Sequence, residues 1–176
     1  AYENMALTIG YKQTISQPYI VARMTEHLIS HTSRRGKVLN QVLEIGSGCG
    51  YQSAVLSHFA NDVFAVERIK PLVLKSRENL RDLKIRNVEV KHANGFDGWE
   101  ENKKFDGIIC AAAPRKYPEE LLELLEIGGK LVIPAGNEGE QKLYVITKIS
   151  DTENEEIIHE DVAFVPMLPG ISNGEI

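Results

Sequence analysis

Three closely spaced glycines, an acid beyond them and a run of small residues are the parts of this chain that chemistry can use. Leu43-Glu44-Ile45-Gly46-Ser47-Gly48-Cys49-Gly50 reads as a buried strand turning sharply into a helix. Glycines let the backbone make that turn and let a ligand lie against bare main chain. A helix starting after them points free N–H groups at the same ligand. An ordinary tight turn also uses glycines, so the loop alone assigns nothing, but its spacing says more. A dinucleotide fingerprint needs glycines at the first, third and sixth positions, and the sixth position here is Tyr51. The pattern is G-x-G-x-G with Glu44 two residues ahead, which suits a nucleoside that carries no pyrophosphate.

Three further signals follow in order. Glu67 ends the next strand, where a carboxylate can accept both hydroxyls of a ribose. Ala93-Asn94-Gly95-Phe96 follows the third strand; the Asn94 side chain there can bond an adenine amino group, and Phe96 can flank the ring. Phe105 to Pro114 ends in small residues, which leave room at the mouth of an open sheet for two reactants to meet. Each has a bland alternative: an exposed strand-end acid, a polar turn, a buried strand. In this order, the four together favour a methyltransferase site, and Tyr51 disfavours a nicotinamide oxidoreductase.

The elements that must hold these residues alternate between strand and helix. Pro18 suits a first helical turn, and Ile20, Met24 and Leu28 give one apolar face through Ile29. Strands are expected at Gln41–Ile45, Val63–Glu67, Val88–His92, Asp106–Ala112 and Lys130–Pro134. Helices are expected at Tyr51–Phe59, Pro71–Leu83 and Pro118–Leu125, the last ended by Gly128-Gly129. That alternation predicts an α/β fold with a mostly parallel sheet and helices on both faces. Two later strands, Lys142–Ile149 and Glu156–Phe164, flank a polar turn at 151–155, so the end of the chain is expected to run antiparallel.

The whole chain narrows the function classes. Its 176 residues are enough for one domain over 1–176. Apolar residues make up 43% and charged residues 26%, the balance of a globular protein. The net charge is −5, and without a basic block no nucleic-acid groove is suggested. No apolar run reaches the length of a membrane span, and the start is not a signal peptide, so a cytoplasmic location is expected. The chain begins at Ala1 rather than Met, which leaves room for a preceding segment. Cys49 and Cys110 are not in a metal-ligand spacing and are expected to be reduced thiols. His27, His31, His58 and His159 have no partners by spacing, and His92 reads as structural or exposed. No metal is expected.

The sequence resembles the protein-L-isoaspartate O-methyltransferase family over nearly its whole length. The likeness is carried by Ile9-Gly10, Gln13-Thr14-Ile15-Ser16-Gln17-Pro18-Tyr19, the Leu43–Gly50 loop and Val66-Glu67-Arg68. It continues through Asn94 to Trp99, Ala111 to Pro114, Gly128 to Pro134 and Phe164-Val165-Pro166. The Q-T-I-S-Q-P stretch is much more specific than the glycine loop. The resemblance implies a Rossmann-like methyltransferase fold with rearranged last strands and S-adenosyl-L-methionine as donor. The implied acceptors are L-isoaspartyl residues in damaged proteins and peptides, with no nucleic acid, membrane or metal as partner. The ester formed collapses to a succinimide that partly reopens to normal aspartate. The family's active-site serine falls on Ser16. The implied cofactor set is Gln13, Thr14, Ile15, Ser16, Glu44, Gly46, Ser47, Gly48, Gly50, Tyr51, Gln52, Glu67, Arg68, Asn94, Gly95 and Phe96. The implied substrate set is Ser16, Ala112, Ala113, Pro114 and Val165. Met167-Leu168-Pro169 would line the same cleft, and Tyr2 and Tyr11 would belong to a lid.

The chain departs from the family at several positions. Lys12 stands where glycine is common and would crowd or charge the entrance. Ala93-Asn94-Gly95 replaces Gly-Asp-Gly, Ala111 replaces a common threonine, and the family's N-terminal helices would precede Ala1. These departures keep two alternatives open: a weak or inactive nucleoside- or peptide-binding module of the same fold, and a small-molecule methyltransferase. The lack of an obvious catalytic His or Cys is no objection to an enzyme. A carboxylate with a pKa of about 4 is already ionised at neutral pH and needs no strong base. Ser16 can orient it, although from the residues alone Ser16 also reads as a helix cap beside Pro18.

Overall fold

The computed structural model of the protein describes residues 3–30, 38–99 and 103–174. The chain opens with a two-stranded antiparallel hairpin, β1 (Leu7–Gly10) and β2 (Gln13–Ile15), followed by helix α1 (Pro18–Ile29). Next come β3 (Leu39–Ile45), α2 (Tyr51–Leu56), β4 (Ala60–Glu67), α3 (Lys70–Asp82), β5 (Val88–His92) and a 3₁₀ turn at Gly95–Asp97. The rest is β6 (Phe105–Cys110), α4 (Glu120–Glu123), β7 (Leu125–Ala135), β8 (Gln141–Lys148) and β9 (Asn154–Val162).

The seven-stranded sheet has the order β5-β4-β3-β6-β7-β8-β9. Strands β3 to β7 are parallel, and β8 and β9 return antiparallel as two hairpins. The parallel strands carry apolar residues on both faces because both faces are covered. On one face Met24 and Leu28 of α1 and Leu56 of α2 pack against Val42, Val63, Ile109 and Val132. Val73 and Leu80 of α3 lie over Ala65 and Val90. On the other face Phe64 meets the rings of Trp99 and Phe105 edge-on, at centroid distances of 5.0 and 5.8 Å, beside Leu121 of α4.

Four expectations change. The hairpin β1–β2 occupies a segment for which the sequence predicted no element. Its turn holds Tyr11 and Lys12 at φ 54° and 56°, the left-handed region that favours glycine. Lys12 is exposed, and a left-handed backbone at a non-glycine residue is the cost visible at this departure. The helix predicted over Tyr51–Phe59 ends at Leu56. The helix predicted over Pro118–Leu125 shrinks to the single turn of α4, and Gly128-Gly129 lies inside β7 instead of ending a helix. There Phe105 pairs with Leu125 but Gly107 pairs with Lys130, so residues 126–129 bulge out of the ladder.

A Cβ on Gly129 would stand 2.9 to 3.0 Å from the carbonyl oxygens of Glu126, Asp106 and Phe105. Gly129→Ala should therefore lower stability by roughly 1–3 kcal/mol, read as an earlier denaturant midpoint; an unchanged midpoint would show that the bulge can relax.

Candidate active site

The sheet order reverses between β3 and β6, and open α/β sheets bind ligands outside the strand ends at such a point. Here the chain leaves β3 at Gly46 and β6 at Ala111, and a Cβ on Gly46 would lie 3.7 Å from the Ala111 Cβ. Gly46, Gly48 and Gly50 all have positive φ (87°, 52° and 87°), which is why glycine recurs at this spacing. The backbone N–H groups of Gly46 and Ser47 reach back to the Val66 carbonyl at 2.8 and 3.2 Å, tying the loop to β4.

A cavity opens over this point. Of the residues expected to hold the cofactor, its wall contains Gln13, Thr14, Ile15, Ser16, Glu44, Gly46, Ser47, Gly48, Tyr51, Gln52, Glu67, Arg68 and Gly95. Gly50, Asn94 and Phe96 stand outside the wall. Gly50 caps α2 in the left-handed conformation and packs close to Ser76 of α3. Asn94 Oδ1 accepts from the N–H groups of Phe96 (3.3 Å) and Gly170 (3.2 Å), so both its lone pairs are already engaged. Of the expected substrate residues, Ser16, Ala112 and Val165 line the cavity, while Ala113 and Pro114 lie behind it. Ala113 still shapes the site: its N–H donates to Val165 O (2.8 Å), and its carbonyl accepts from Met167 N (2.9 Å). These bonds pin Val165, Pro166 and Met167 as a wall. Met167 and Leu168 line the cavity as expected, and Pro169 does not.

Sequence reading missed Ile9, Val21, Met24 and Ile109, the apolar part of the wall. The hairpin brings Ile9 there, the placing of α1 brings Val21 and Met24, and Ile109 comes from β6; Met24 looked like an ordinary core position. Tyr11 sits by Gly174 rather than in the wall, and Tyr2 lies outside the described residues. His92 is structural, its Nε2 lying 3.0 and 3.2 Å from the carbonyls of Arg68 and Ser172. His27 does have a partner, contrary to the spacing argument: its ring centroid lies 4.0 Å from that of His159. His31 is outside the described residues.

The polar groups suit a nucleoside with a cationic tail. Glu67 accepts from Gly48 N and Ile69 N, both at 2.9 Å, so its carboxylate is fixed at the end of β4. Burial pushes its pKa up, while the hydrogen bonds from Ile69 and Gly48 oppose the shift. Each oxygen has a second lone pair, so the acid can still accept from a diol. Glu44 is fully buried; its Oε2 accepts from the Ser53 hydroxyl of α2. Its Oε1 and the Ser47 hydroxyl are buried without partners, an arrangement that disfavours an empty state and favours a ligand donor. Ser16 does not cap α1, whose N-cap is Gln17 with no side-chain bond.

Burial lifts the Glu44 pKa from 4.5 to about 8. The native state therefore holds a proton that the unfolded chain has lost, and stability falls as pH rises from about 4.5 to about 8. The decline should be on the order of a few kcal/mol. Denaturation across that range should show a steeper decline in the wild-type chain than in Glu44→Gln, where Glu67 alone of the two buried acids remains; the same decline in both would remove the assignment.

The chain matches known proteins along its length. The family profile Protein-L-isoaspartate(D-aspartate) O-methyltransferase matches residues 1–171. A protein-L-isoaspartate O-methyltransferase of Methylobacillus flagellatus is 52% identical over 173 residues, covering 97% of this chain and 75% of that protein. The enzyme of that name from an Azoarcus species is 52% identical over 170 residues, covering 97% and 76%. Among solved structures, a Plasmodium falciparum protein described under the same activity, in complex with S-adenosyl-L-homocysteine, superposes with a TM-score of 0.75. It is 31% identical, with 95% of this chain and 81% of that one covered. A second protein-L-isoaspartate O-methyltransferase gives a TM-score of 0.80 at 24% identity, covering 94% and 53%, and speaks to the fold alone. The match over residues 1–171 and relatives identical at half of their aligned positions show that this chain belongs to the protein-L-isoaspartate O-methyltransferase family.

Proposed function

We propose that this protein methylates the free carboxylate of L-isoaspartyl residues in damaged proteins and peptides, using S-adenosylmethionine, at the cavity over Gly46 and Ala111. The observation that carries the reading is the position of Ser16. It lines the cavity of the glycine loop and also a second hollow, bounded by Gln17, Ile20, Val162 and Phe164. Thr14, Ala111 and Val165 share that dividing wall. Donor and peptide can therefore occupy adjoining hollows and meet at one hydroxyl.

Each residue then has a task. Glu67 holds the ribose hydroxyls, and the bare backbone from Gly46 to Gly48 lets the nucleoside lie close. Glu44 Oε1 and the Ser47 hydroxyl face the polar tail. Asn94 serves the adenine amino group by exchanging its contact with Gly170. When bound, S-adenosylmethionine supplies a methyl group on a sulfonium, which the carboxylate oxygen takes as the C–S electron pair returns to sulfur. Ser16 donates a hydrogen bond to the acceptor carboxylate, leaving its other oxygen free to point at the methyl at about 3–3.5 Å. Ile9, Val21, Met24 and Ile109 keep water away. A drier site favours the step because the separated charges lose more solvation than the dispersed transition state. No residue must remove a proton from the acceptor, which is ionised already. A cytoplasmic setting is part of the same reading and agrees with the free thiols of Cys49 and Cys110. Among the described residues, no helix is long and apolar enough to cross a membrane.

Methyl transfer from labelled S-adenosylmethionine should be seen with an L-isoaspartyl peptide and not with its aspartyl twin; equal labelling of the two would defeat the proposal. Ser16→Ala should lower kcat by roughly tenfold to a hundredfold, the worth of one hydrogen bond to a charged group, with cofactor affinity little changed. Glu67→Ala should weaken cofactor binding by roughly tenfold or more in calorimetric titration. Unaltered affinity would show that the ribose is held elsewhere.

A further inference from the structure

On the side of the sheet where α1 crosses β9 lies a cluster that methyl transfer does not use. His27 on α1 is buried, and its Nε2 has no hydrogen-bond partner. Facing it are His159 and Glu160 of β9, and one ligand atom from each of the three residues lies within 4.8 Å of the others. Successive residues of a regular strand point to opposite faces, so two neighbours serving one point need an explanation. The backbone gives one. Lys142 pairs with Asp161 but Tyr144 pairs with Ile158, so an extra residue bulges out of β9 at His159–Glu160. Bulges re-aim side chains in this way. Arg23, one turn before His27, holds Glu160 Oε1 through its Nε at 3.1 Å and Glu26 through its second nitrogen at 2.6 Å.

We propose that His27, His159 and Glu160 form a binding site for a divalent transition ion of the zinc type. Two imidazoles and a carboxylate are a donor set that zinc accepts, with a solvent water in the fourth place. Ligand bonds of about 2.0–2.2 Å place tetrahedral donor atoms roughly 3.4 Å apart, so the three must draw together slightly. His159 and Glu160 are both partly exposed and can supply that movement by side-chain rotation, while His27 stays fixed in its helix. Bound through Nε2, the ion would give that orphaned nitrogen a partner. Arg23 stays on Glu160 from behind, the supporting contact that metal-bound carboxylates use. An open hollow lined by His27, Lys130, Glu155 and His159 gives access. Within it, the Lys130 ammonium donates to the Ser30 carbonyl and hydroxyl at 2.9 and 2.7 Å and to the His27 carbonyl at 3.4 Å, so it is held by backbone and hydroxyl oxygens. The bound ion would clamp the edge strand to α1, the helix that begins two residues after Ser16.

The test is zinc titration of the chelator-treated full chain by calorimetry, with melting temperature followed alongside and no methyl donor present. One zinc per chain should bind with a rise in melting temperature. Affinity should fall by about tenfold or more in both His159→Asn and Glu160→Gln. Both positions are partly exposed, so these variants keep the result readable if His27→Asn fails to fold. Absence of saturable binding would overturn the proposal. So would binding undiminished in His159→Asn, or binding lost in Cys49→Ser instead.

Discussion

The site depends on one constraint, the divergence of two neighbouring strands. β3 and β6 are hydrogen-bonded up to Ile45 and Cys110, and beyond them Gly46 and Ala111 nearly touch. At Gly46 the positive φ favours glycine, and an added Cβ would come into van der Waals contact with Ala111. Everything polar is arranged around that point by strands locked in register. Glu44 hangs from the β3 strand itself, and Glu67 ends β4 in register with the end of β3. The parallel ladder thus fixes where charges stand before any ligand arrives, the preorganisation that binding and catalysis need.

The two acids show how differently one cavity treats similar groups. Glu67 is held by backbone N–H groups that favour its charged form. Glu44 has a serine on one oxygen and nothing on the other, in full burial. One side chain presents an acceptor of fixed geometry; the other keeps its proton, and a cationic guest would favour its ionised form.

Much of this was legible in the sequence, because the central units are locally consistent. The 3.6 and 2.0 periods, the glycine spacing and the acid at Glu67 all point to the same topology. β5 matches its predicted bounds, and the antiparallel end follows from a polar turn between two apolar runs. What escaped depends on contacts distant in sequence. The hairpin of β1 and β2 is short and mostly exposed, so no burial pattern marks it. Gly128-Gly129 reads as a helix stop because bulge and stop use the same residues. His27 and His159 lie on different elements, and only the pairing of β9 at the far edge of the sheet brings them together.

The segment from Val165 to Ser172 is stitched on last. It meets Ala113 at one end, and at the other Ser172 exchanges backbone hydrogen bonds with Arg68 and Lys70. Both anchors belong to strand ends laid down much earlier in the chain. During synthesis the sheet can assemble with its crevice unroofed, and this wall can close only once residues 165–172 have been made. A chain extended just to the end of β9 would thus have most of its core in place with one side of the cavity still open.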